Sequence, residues 1–77
     1  MAKLLYFGQV AEIANRHSEE LPIEEMSIAD FRIWLERKIP ELTFVSYQIS
    51  ANQQLHCEAF MLTNDMEIAI LPPFAGG

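Results

Sequence analysis

The sequence is poor in several things that would each announce a particular chemistry. A single cysteine, Cys57, excludes an intramolecular disulfide framework and most cysteine-rich zinc sites. Three glycines, Gly8, Gly76 and Gly77, are too few to build a phosphate-cradling loop. The two histidines, His17 and His56, have neither a cysteine nor a carboxylate at metal-ligand spacing. Only 5 Lys and Arg stand against 11 Asp and Glu, a formal net charge of −6. Phosphate backbones and anionic headgroups repel such a surface, so nucleic acid and membranes are poor partners and a basic protein surface is a better one. No stretch approaches the ~20 apolar residues that span a bilayer. The run Leu4–Phe7 is too short for a signal-peptide core. Together with the lone thiol, this points to the cytoplasm.

What is present is an apolar chain with clear periodicities. Of its 77 residues, 51% are hydrophobic, enough for one small packed domain. Leu4–Phe7 reads as a strand buried on both faces. A short helix is expected over residues 9–16, with Val10, Ile13 and Ala14 on one side. Residues 19–24 alternate as a half-exposed strand, which Pro22 confines to a sheet edge. Ser27 is a natural N-cap with Asp30 three residues on, and Ile28, Phe31, Leu35 and Ile39 form the apolar face of a long helix. Arg37, Lys38 and Pro40 end that helix. Val45, Tyr47, Ile49 and Ala51 alternate with polar residues, predicting a strand with one wet face. Asn52-Gln53 turns the chain into a second strand over residues 54–57, and Asn64-Asp65 makes a further turn from types that tolerate left-handed backbone. Residues 67–71 are again nearly all apolar, a second buried strand. The first and last strands are therefore expected side by side and parallel at the centre of one sheet. The long helix would cross one face, an α+β roll. Residues 1–71 form the expected domain and 72–77 an extended tail.

Little here supports conventional catalysis. Cys57 is expected as a packing thiol, since the adjacent His56 would point to the other side of a strand and could not act as its base. Trp34 reads as packing at the edge of the core. Glu19, Glu20, Glu24 and Glu25 read as a solvated face. The final segment, Leu71-Pro72-Pro73-Phe74-Ala75-Gly76-Gly77, is different. Two prolines stop sheet pairing and hold the backbone extended. The six residues after Leu71 reach about 20 Å at ~3.3 Å each, and paired glycines make the narrowest possible chain for threading a channel. A carboxylate at Gly77 would be a poor electrophile until activated, for example as a mixed anhydride with AMP. The activated glycyl carbonyl would then be open to attack by sulfur or by a lysine amine.

The segments "KLLYFGQVAEIA", "SIADFRIWLERKIPEL", "SANQQL" and "EIAILPPFAGG" resemble the MoaD/ThiS group of β-grasp, ubiquitin-like sulfur carriers, and most closely its molybdopterin-synthase branch. The resemblance covers essentially the whole chain, and Pro-Pro-x-x-Gly-Gly after an apolar strand is its most specific element. It implies a β-grasp roll with a mixed sheet. It implies that Gly77, preceded by Gly76, is adenylated by a MoeB-type, E1-like activating enzyme that holds ATP and magnesium, and is then converted to a thiocarboxylate. It further implies insertion of the tail into a MoaE-type large subunit within a heterotetramer. There the sulfur would build the dithiolene on cyclic pyranopterin monophosphate, with the catalytic side chains on the large subunit and no cofactor on this chain. The contact patch it implies is Phe7, Leu55 and Leu71, with Pro72, Pro73, Phe74 and Ala75 in the tail. Asn64-Asp65-Met66 replaces the Asp-Gly-Asp common in the family before the last strand. Left open are the same carrier chemistry serving thiamine thiazole or tRNA thiolation, and a ubiquitin-like modifier or binding module.

Overall fold

Residues 1–73 are described by the computed structural model. Period-two alternation sets the first strand, β1 (Ala2–Tyr6), where Ala2, Leu4 and Tyr6 are buried while Lys3 is exposed and Leu5 half-buried. Gly8 then turns the chain at φ +58° into α1 (Gly8–Ala14), which ends on Asn15 in the left-handed conformation that such caps favour. β2 (Ser18–Leu21) follows, with Pro22 immediately after it. A two-residue strand, β3 (Met26–Ser27), leads into α2 (Ile28–Lys38), whose Asp30 amide donates to the Ser27 hydroxyl at 3.1 Å. A short 3₁₀ helix over Pro40–Phe44 connects to β4 (Gln48–Ala51), β5 (Gln54–Leu55), β6 (Met61–Leu62) and β7 (Glu67–Leu71).

The main sheet runs β2-β1-β7-β4-β5, with β1 and β7 parallel and the other pairs antiparallel. The two apolar strands therefore lie together at its centre, as their hydrophobicity predicts. β3 and β6 pair apart as a second small sheet. The helix α2 lies on one side of the main sheet, and its Ile28, Phe31 and Leu35 join Leu4, Tyr6, Ile49, Ile68 and Ile70 in one buried cluster. Complete burial of Phe31 alone contributes roughly 2–3 kcal/mol. Trp34 packs at the edge of that cluster, 5.3 Å from the Phe31 ring, as its place on the helix suggests. Among the described residues no helix is long and apolar enough to cross a membrane.

β1 and β7 are central yet buried on one face only, because helices cover just one side of the sheet: Leu5, Ala69 and Leu71 are half-buried and Phe7 is exposed. Val45 lies outside β4, and Ser50, expected on a wet face, is buried. Glu19 is no solvated carboxylate; it accepts from the Tyr6 hydroxyl and pairs with Arg16 at 2.9 Å and Lys38 at 3.7 Å. Cys57 is exposed rather than packed. Asn64-Asp65 does turn the chain, but without positive φ; the Asn52-Gln53 turn has it, at 51° and 69°.

Candidate functional site

Directly paired residues in a sheet share a face, so the register fixes the surface that α2 leaves open. Leu5 pairs Ala69, Ala69 pairs Ser50, and Ser50 pairs Leu55, giving one row across four strands. Leu71 pairs Gln48 in the next row, with Phe7 following Tyr6 out of β1 on the side opposite the core. The result is a concavity of about 430 Å³ whose apolar lining includes Leu5, Phe7, Leu55, Ala69 and Leu71, with Ser50, Gln53 and Glu67 supplying the polar part.

Phe7 and Leu55 are 45% and 49% exposed, and what sets them apart from other exposed apolar side chains such as Ile33 and Phe44 is that both line this one concavity. The structure thus brings Phe7, Leu55 and Leu71 together on one surface. Their neighbours Leu5 and Ala69 were missed by the sequence reading, although alternation against the buried Leu4 and Ile68 carried the signal. Of the residues singled out in the tail, Pro72 and Pro73 are exposed just beyond β7, while Phe74, Ala75, Gly76 and Gly77 lie outside the described residues.

A smaller, polar concavity of about 210 Å³ lies around the same sheet edge and shares Leu55. In it Arg32 grips Glu58 through two hydrogen bonds of 3.0 and 3.2 Å, and its guanidinium lies 5.1 Å from the Tyr47 ring centre. His56 stacks on Phe60 at 3.7 Å. Burial, reinforced by a hydrogen bond to Glu36, raises the Tyr47 hydroxyl pKa, and burial with Glu19 does the same for Tyr6. These phenols stay protonated at neutral pH and are structural donors. Among the described residues no group of three or more His, Cys, Asp or Glu is placed to hold a metal. Among the described residues no nucleophile is assembled with a base.

A mixed sheet wrapped over one long helix, with the last strand central and its end beside an open apolar face, is the ubiquitin-like β-grasp architecture. The chain belongs to the ThiS family, whose model matches residues 4–77, and so to the MoaD/ThiS ubiquitin-like sulfur carriers. It is similar in structure to a Pyrococcus furiosus protein described as molybdopterin converting factor, subunit 1, with a TM-score of 0.81 and 16% identity over 95% of this chain and 97% of that one. The small archaeal modifier protein 1 of Haloferax volcanii gives a TM-score of 0.77 at 17% identity, covering 99% of this chain and 98% of that one. The small archaeal modifier protein 1 of Methanosarcina acetivorans gives 0.73 at 26% identity, covering 99% and 95%. Members of the family work with partner enzymes.

Proposed function

We propose that this protein is the sulfur-carrying small subunit of a molybdopterin synthase, bearing the sulfur as a thiocarboxylate on Gly77. The observation that supports this reading most directly is the family match running through Pro72-Pro73-Phe74-Ala75-Gly76-Gly77, joined to an open apolar face that reaches the last residue of β7. In the proposed cycle an E1-like enzyme transfers AMP from ATP to the Gly77 carboxylate, releasing pyrophosphate. A sulfide-level donor then attacks the glycyl carbonyl; the C–S bond forms, the C–O bond to AMP breaks and AMP leaves.

Phe7, Leu55 and Leu71 would dock successively on the activating enzyme and on the large synthase subunit, as a compact apolar centre typically provides most of the affinity. The acidic rim would steer association toward basic partner surfaces. Residues 1–71 are the recognition domain in this scheme and 72–77 the arm, working in the cytoplasm. ATP and magnesium stay on the activating enzyme.

The small archaeal modifiers share the fold, so a protein modifier joined to lysines through Gly77 is the second reading. Fragment-mapped mass spectrometry of the full chain, incubated with its activating enzyme, ATP and sulfide, decides between them. Replacement of oxygen by sulfur on Gly77, followed by conversion of cyclic pyranopterin monophosphate with the large subunit, is expected. Conjugation to lysines with no pterin product would favour the modifier.

A further inference from the structure

The root of the tail is held in an unusual way. The Phe7 amide donates to the Ile70 carbonyl at 3.2 Å, and one residue later the parallel register brings Gly8 beside Pro72. Gly8 has φ +58°, and a Cβ built on it would lie 3.3 Å from Pro72 Cγ, 3.7 Å from Cδ and 3.8 Å from Cβ. The pyrrolidine ring therefore rests against the bare Gly8 Cα. Pro72 and Pro73 have no N–H to continue the ladder on either side, so ring packing takes over where hydrogen bonding stops. The preceding residue, Phe7, reaches into the docking groove. One dipeptide thus touches both the groove and the tail's point of departure.

We propose that Gly8 is a positioning residue for the carrier tail: its missing side chain is the seat for Pro72, and that contact sets the direction of the chain at Pro72-Pro73, where the tail begins. The functional half of this inference rests on the carrier reading above; the contact itself does not. A tail leaving at a wrong angle brings its end to the wrong place in a partner's active site, where displacements near 1 Å can slow reaction by up to ~100-fold. The groove would be unchanged, so binding would survive.

The test uses the full chain carrying Gly8→Ala, Gly8→Asn, Pro72→Gly and the double variant Gly8→Ala/Pro72→Gly. Asn tolerates left-handed backbone, so Gly8→Asn adds a side chain with little conformational strain. Loading of sulfur onto Gly77 by the activating enzyme, ATP and sulfide is followed as kcat and KM. Gly8→Ala and Gly8→Asn are each expected to lower kcat about tenfold while KM for the activating enzyme stays within about twofold, the signature of a lost positioning effect, and Pro72→Gly to lower kcat by at least as much. The double variant should be no slower than the slower single, because the seat is already empty. In parallel denaturation, Gly8→Ala should lower the midpoint less in the Pro72→Gly background than in wild type, where it must also displace the ring.

Wild-type kcat in Gly8→Asn overturns the proposal, as do defects that multiply in the double variant or appear only in KM. If wild-type Gly77 takes no sulfur at all, the carrier reading fails, while the denaturation cycle still decides the seat.

Discussion

Asn52 and Glu67 hold each other by two opposed hydrogen bonds. The Asn52 amide donates to the Glu67 carbonyl at 2.8 Å, and the Glu67 amide donates to Asn52 Oδ1 at 3.0 Å. The clasp ties the β4–β5 turn to the first residue of β7, and so fixes where the central strand begins. Asn52 also sits at φ 51°, a conformation Asn tolerates better than most residues. Asn52→Gly should keep the turn but lose one hydrogen bond, costing about 1 kcal/mol. Asn52→Ala adds the strain of a left-handed alanine and should cost about 2 kcal/mol. Urea denaturation of the two variants checks the order; equal losses would refute the double role.

The open face predicts a separation of binding from stability. Leu55 is half exposed on the outermost strand of the main sheet, so Leu55→Ala should cost under about 1 kcal/mol in folding. Its affinity for the activating enzyme should nevertheless fall by at least about tenfold, since an apolar centre dominates such docking. Titration calorimetry beside a denaturation curve measures both. Unchanged affinity would remove Leu55 from the docking surface.

Tyr6 and Tyr47 make the fold sensitive to alkali. Burial, then the hydrogen bonds to Glu19 and Glu36, holds both hydroxyl pKa values above the ordinary ~10. In the unfolded chain these phenols lose their protons near pH 10, while the folded chain still retains them. Their stabilising contribution is therefore complete below about pH 10 and is lost as the pH climbs toward the folded-state values. The urea midpoint should fall steeply between roughly pH 10 and 12. The slope should flatten in Tyr6→Phe/Tyr47→Phe; a double variant with the wild-type slope would show that other groups carry the effect.

Much of this was legible in the chain itself, for local reasons. Ser27, Asp30 and the spacing Ile28, Phe31, Leu35 specify α2 through capping and a 3.6-residue period, and both act within a turn or two. The apolar density of residues 67–71 marks a central strand, which lies beside the other such strand, β1, in the parallel sense that was expected. β3 and β6 escaped, because two-residue strands have no periodicity to read; Met26–Leu62 pairing exists only once α2 and the following loop bring them together. The exposure of Cys57 is illegible in the sequence for a related reason. An apolar type in a short, polar-flanked segment carries no information about which way the chain turns.

The helix, the central strands, the Asn52-Gln53 turn and the Pro-Pro-x-x-Gly-Gly motif are all written locally in the chain, because each depends on backbone preferences and periodicities spanning a few residues. It takes the packed sheet to turn Leu5, Phe7, Leu55 and Leu71 outward together, to draw Glu19 in against Tyr6, Arg16 and Lys38, and to lay Gly8 under Pro72. The physical reason is that a strand's two faces are equivalent until something covers one of them. Here α2 covers one face of the sheet and leaves the other open.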